Sequence, residues 1–131
     1  MPASRIYNPF VNGLGGGGGA NPDAEEIQTV TFSYIESSVV VLNIPANARV
    51  LQTTVSFSVP FDDATSTVMV GDSSLNNRLM QSSQNDPTTT AVYVVHNEYQ
   101  YTSITPVTVY INSGSSTQGI GLVSVTYNLN N

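Results

Sequence analysis

Few residues in this chain are able to do chemistry. His96 is the single histidine and there is no cysteine, so Cys–His catalysis and a disulfide framework are both excluded. A Ser–His–Asp triad of the hydrolase kind would place its serine on a G-x-S-x-G elbow, and no such motif occurs. His96 is followed by Asn97-Glu98, which places it in a surface turn. Gly13-Leu14-Gly15-Gly16-Gly17-Gly18 formally matches G-x-G-x-x-G. A dinucleotide site needs those glycines between a strand and a helix, so that the helix N-terminus meets the pyrophosphate. Here nothing strand-like precedes them and no helix follows. Asp62, Asp63, Asp72 and Asp86 lie among turn formers. A Ca²⁺ ion between subunits would need several such oxygens, but the D-x-[DN]-x-[DN]-G loop is missing, and aspartate commonly starts turns by bonding its own backbone. No carboxylate pair is singled out for glycoside hydrolysis. The expectation is a protein with no catalytic residue, no metal ligand and no cofactor, and not an enzyme.

What remains is recognition. Tyr34, Tyr93, Tyr99, Tyr101, Tyr110 and Tyr127 make the chain tyrosine-rich, and tryptophan is absent. Tyr93 and Tyr127 fall at core or half-buried strand positions. Tyr99 and Tyr101 share a parity near a turn and are expected to be exposed interface residues. Exposed tyrosine anchors protein interfaces, and a carbohydrate-binding module is the alternative from another class.

Charge sets the kind of partner. The chain has 131 residues, of which 9% are charged, and its net charge is −6. Its basic residues are Arg5, Arg49 and Arg78, with no lysine. Phosphate backbones are held by clustered Lys and Arg, so no direct nucleic-acid partner is expected. No segment approaches about 18 consecutive apolar residues, so no membrane span is expected. No basic region followed by an apolar run opens the chain, so no secretory signal is expected.

The elements that must position these residues fall in two parts. Five consecutive glycines, Gly15 to Gly19, lose too much entropy on ordering to hold regular structure. Residues 1–20 therefore read as an extended arm, and residues 21–131 as one domain. The arm's 20 residues span roughly 66 Å when fully extended. Arg5, Ile6, Tyr7, Phe10 and Val11 give it a charge and apolar anchors, the composition of a docking peptide that orders on a neighbouring subunit.

Beyond the arm, apolar and polar residues alternate with period two between turn formers, the mark of strands. Residues 27–34, 39–44, 67–70, 90–95, 107–111 and 120–129 carry it. In residues 51–59, Leu51, Thr53, Val55, Phe57 and Val59 share one face and Gln52, Thr54, Ser56 and Ser58 the other. Tyr99 to Thr102 would pair with 90–95, and 77–81 would form one helical turn. About eight short strands and no convincing helix predict an all-β fold, an antiparallel β-sandwich of jelly-roll type with an extended N-terminal arm. Several outward rows are uncharged Ser, Thr and Gln. Solitary sheets usually guard themselves with charge, so some faces or edges are expected to be covered by other subunits.

Val59-Pro60-Phe61-Asp62, Val68-Met69-Val70-Gly71-Asp72 and Leu79-Met80 recur as a pattern with Tyr99-Gln100-Tyr101 and Thr105-Pro106-Val107-Thr108-Val109. Ser116-Thr117-Gln118-Gly119 then leads into Val123-Ser124-Val125-Thr126-Tyr127. Through these, residues 50–127 resemble the β-sandwich module of tailed-bacteriophage virion structural proteins, most of all capsid decoration (cement) proteins. The resemblance implies a homo-oligomer, usually a trimer, that binds the major capsid protein on the outside of the shell and stabilises it by bridging subunits. Such a protein is made in the host cytoplasm and carried on the virion. A tail, collar or fibre-associated protein with the same module is the alternative.

Overall fold

Alternation of β-branched and hydroxyl residues carries through into seven strands. The structure is a computed structural model and describes residues 25–129. The strands are β1 (Glu25–Ser33), β2 (Ser38–Ile44), β3 (Ala48–Val59), β4 (Thr67–Gly71), β5 (Val92–Gln100), β6 (Thr105–Asn112) and β7 (Ile120–Leu129). They form two antiparallel sheets, β1-β7-β3-β5 and β2-β6-β4. Each strand is followed in sequence by one from the other sheet, so the sheets form a β-sandwich around one core.

The inward positions are mostly valine, with three phenylalanines at the centre. Phe57 meets Phe32 and Phe61 edge to face, with ring centroids 6.1 and 5.9 Å apart, the arrangement that ring quadrupoles favour. Val50, Val55, Val68, Val70, Val107, Val109, Val123 and Val125 are buried around them. Gly121 lies under Phe32, whose ring occupies the space a Cβ would take.

Three sequence expectations are corrected. Residues 90–95 and 99–102 do not form two paired strands; β5 is continuous through His96-Asn97-Glu98 and pairs with β3. No glycine or proline breaks it there. The Asn97 side chain is engaged instead: its Oδ1 accepts from Thr53 Oγ1 (2.7 Å), and its Nδ2 donates to the Leu79 carbonyl (3.1 Å). In β3, Leu51 does not share the face of Val55 and Phe57. The ladder shifts between Val50 and Gln52 on both sides, so the strand puts Ala48 and Val50 inward, then Thr53, Val55 and Phe57. Such an extra residue cannot be seen in a period-two pattern. The expected helical turn at 77–81 is absent. Leu79 and Met80 are buried, Met80 bridging to Val70, and a 3₁₀ turn follows at Ser82–Gln84.

The connections gather at two ends. Residues 34–37, 60–66, 86–91 and 113–119 meet at one, tied by Tyr34 N–H to Gly119 O (3.0 Å) and Phe61 N–H to Pro87 O (2.9 Å). Residues 45–47, 72–80 and 101–104 meet at the other, where Asn47 N–H donates to Tyr101 O (2.6 Å). Glu25 and Leu129 also lie at this second end, in register with Asn128 and Ala48.

Candidate functional site

The outward residues of the four-stranded sheet line up in rows. Thr31, Leu122, Ser56 and Val92 are register partners across β1, β7, β3 and β5; so are Thr29, Ser124, Thr54 and Val94, and then Ile27, Thr126, Gln52 and His96. Not one of these twelve carries a fixed charge. Thr29 and Ser124 share a hydrogen bond of 2.8 Å between their hydroxyls within the face. Apolar side chains stand out of it: Ile27 is 56% exposed, Val92 64%, Val94 48% and Leu122 43%. Ile120, exposed beside Leu122's row, extends the patch. A face of this kind loses no charge hydration when it is covered, and its apolar residues gain from being covered.

The charges lie at the ends. At the first end, Asp62 accepts from the Thr117 amide (2.7 Å) and hydroxyl (2.5 Å). Asp63 accepts from the amides and hydroxyls of Thr65 and Ser115, at 2.6 to 3.0 Å. These donors hold both carboxyls below the ordinary range, Asp63 the furthest. Asp86 is lowered by the Thr88 hydroxyl and amide. The loop carboxylates weighed against a Ca²⁺ site thus have internal partners, and those of Asp62 and Asp63 pin 60–66 to 113–119.

At the second end, Asp72 is almost fully buried. Its carboxylate accepts from Arg78 Nε (2.6 Å), from the Tyr101 hydroxyl (2.8 Å) and from the Ser74 and Leu75 amides (3.0 Å each). Burial alone would raise its pKa, but Arg78, Tyr101 and the Leu75 amide outweigh burial and the net shift is downward. Burial and the bond to Asp72 push the Tyr101 phenol far above its usual range. The Arg78 guanidinium sits over the Tyr99 ring, 4.5 Å from its centroid, and Tyr99 meets Tyr101 edge-on at 4.8 Å. This set clasps the 72–80 connection to the sandwich.

Tyr101 is therefore corrected: it is 4% exposed and is no surface residue, because its hydroxyl is the partner of a buried carboxylate. Tyr99 is 37% exposed and covered on one face by Arg78. The two cannot present the paired flat rings a sugar would need. His96 is also corrected: it is a mid-strand residue on the outer face, opposite Gln52, and not in a turn. Arg5, Ile6, Tyr7, Phe10 and Val11 lie outside the described residues, as does the whole proposed arm at residues 1–20. Sequence reading noticed uncharged rows but did not identify Ile27, Val92, Val94 and Leu122 as one patch. That needs the order of the strands, which non-local pairing decides.

No protein-family model and no curated protein matches this chain. Among solved structures, a chain of the acidic stable capsid structure of Helicobacter pylori bacteriophage KHP30 is similar, with a TM-score of 0.70 and 16% identity over 85% of this chain and 92% of that one. A chain of the cyanophage Pam1 capsid asymmetric unit is similar with a TM-score of 0.66 and 23% identity, over 98% of this chain and 99% of that one. In both, nearly the whole of a chain of like size is matched. The chain accordingly shares its all-β sandwich fold with chains found in bacteriophage capsid structures.

Proposed function

We propose that this chain is a structural protein of a bacteriophage capsid that acts by binding and not by catalysis. One observation carries the reading: two chains of nearly this length, each matched almost end to end, come from capsid structures. Its finer form is a decoration, or cement, protein on the outside of the shell. It holds neighbouring copies of itself, as a trimer, and bridges subunits of the major capsid protein. The neutral face built on Ile27, Val92, Val94 and Leu122 supports the homotypic contact, since copies of a chain of net charge −6 approach there without like charges opposed. The finer fold is a jelly roll. The orders β1-β7-β3-β5 and β2-β6-β4 alternate between sheets, and the Val70–Met80 bridge stands where an eighth strand would flank β4.

A ligand that binds only the assembled shell stabilises it by mass action. Quantitative mass spectrometry of purified virions tests the role. The protein is expected in a fixed ratio to the main shell subunit, and particles lacking it are expected to break open at a lower temperature. Absence from virions, or a few copies co-purifying with tails, would overturn the assignment.

A further inference from the structure

The neutral grid on the four-stranded sheet holds one residue that can become charged near neutral pH. His96 is the only histidine of the chain, and it stands in the third row with Ile27, Thr126 and Gln52. Strand alternation puts it there. Tyr93 and Val95 pack against the core, and Asn97 bonds to Thr53 Oγ1 and the Leu79 carbonyl, so Val94 and His96 point outward from β5. His96 is exposed in the single copy, where an imidazolium keeps its water.

Few charged groups surround it. On its own strand the next exposed residue towards the second end is Glu98, whose carboxylate meets Arg49 of β3 at 3.4 Å. β3 places Gln52 beside His96, and β7 places Thr126 beyond Gln52. The row after the third, Glu25, Asn128, Arg49 and Gln100, brings one further acid. Glu25 lies three strands away on β1, about 14 Å at a strand spacing of about 4.8 Å. That is beyond the roughly 8 Å over which salt screens exposed charge. Among the described residues, the one carboxylate near His96 therefore already faces an arginine.

Resting on the contact between copies proposed above, we propose that His96 makes that contact pH-dependent. A second copy holds to the neutral face while His96 is neutral, and protonation of His96 weakens the hold. Histidine exchanges its charge between about pH 5 and 8. The carboxyls of Asp62, Asp63, Asp72 and Asp86 are held below their usual value of 3.8, so they stay ionised across that window and do not add to the change. The sign follows from solvation. Covering the face takes water from His96, which disfavours its charged form. The assembled state then binds fewer protons than the free copies and is lost as pH falls. Protonation also reduces the net charge of −6, which eases repulsion between whole copies. That gain is spread over the surface and screened by salt. The desolvation acts on the imidazolium itself, and it decides the direction.

Sedimentation velocity of the full-length protein at about pH 8 and about pH 5.5 brackets the histidine window, at one ionic strength. Wild type should associate at least about tenfold more weakly at the lower pH. His96→Gln keeps a polar side chain without the titration and should associate equally at both. His96→Lys is charged at both and should be as weak at the higher pH as wild type is in acid. Circular dichroism checks that each variant stays folded. Wild type equally associated at both pH values, or a His96→Gln that weakens in acid as wild type does, would overturn the role of His96 while leaving the neutral contact standing. Wild type monomeric at the higher pH, or assembled there and unaffected by both His96→Lys and Leu122→Asp, would overturn the neutral face as the contact, and the role of His96 with it.

Discussion

Leu122→Asp is the sharpest probe of the neutral face. Leu122 sits on β7, an interior strand of the four-stranded sheet, between Thr31 and Ser56. It is already 57% covered within one copy, being 43% exposed. Full burial of a leucine is worth about 1.5–3 kcal/mol, so covering the remainder in an assembly contributes roughly 1 kcal/mol. An aspartate there adds the first fixed charge among the twelve grid positions. In the free protein its carboxylate stays hydrated, and the cost is that of a poor strand former, about 1 kcal/mol. In a closed interface the carboxylate loses water without gaining a partner, which costs several kcal/mol. Lost burial and desolvation together weaken association by about 4 kcal/mol, or roughly a thousandfold.

The matched control is Asn43→Asp, the same new charge at an exposed position of β2 in the other sheet. Sedimentation velocity reads the oligomer, and thermal unfolding by circular dichroism reads the fold. Leu122→Asp should sediment as a folded monomer at concentrations where wild type and Asn43→Asp are assembled. Unchanged assembly of Leu122→Asp, or equal disruption by both variants, would refute the neutral face as the contact between copies.

The clasp at the second end makes a second prediction. Asp72→Asn removes the charge facing Arg78 and should cost about 3 kcal/mol in urea unfolding, as breaking a sheltered pair does. Tyr101→Phe should cost about 1.5 kcal/mol, and the double variant less than the sum, because both act on one carboxylate. A third concerns acid. Asp63 has its pKa depressed from 3.8, so its contribution is fully present above that value and is lost as pH falls below it. Asp63→Asn should lower the melting temperature at pH 7 and flatten its fall below pH 4; an unchanged acid limb would count against the Thr65 and Ser115 bonds. A fourth concerns packing. Gly121→Ala drives a methyl into the Phe32 ring and should destabilise by about 1–3 kcal/mol, with Phe32→Leu restoring part of it in a thermal melt.

The parts of this protein legible from sequence are those set by local alternation. β1, β4, β6 and β7 follow the period-two pattern, because one buried face forces apolar residues to every second position, whereas β2 breaks it at Val41, where its register shifts. The misreadings share a cause. The Leu51 bulge, the unbroken β5 and the non-helical 77–81 segment are all fixed by partners outside their own stretch of sequence. Asn97 stays in the strand because Thr53 and Leu79 hold its side chain. Tyr101 turns inward because Asp72, 29 residues earlier, needs a donor. Neither fact leaves a trace in the neighbouring residues.

The same reasoning explains why the candidate surface was half visible. Absence of charge along an outward row is local, and Gln52, Thr54 and Ser56 display it in sequence alone. Contiguity is not local: Val92 and Leu122 become neighbours across Ser56 only because β3 lies between β5 and β7. Charge segregation to the two ends has the same origin, since the short connections alternate between ends as the chain crosses from sheet to sheet. The 34–37, 60–66 and 86–91 connections thus gather Glu36, Asp62, Asp63 and Asp86 at one end, while Glu25, Glu26, Asp72 and Glu98 lie with Arg49 and Arg78 at the other.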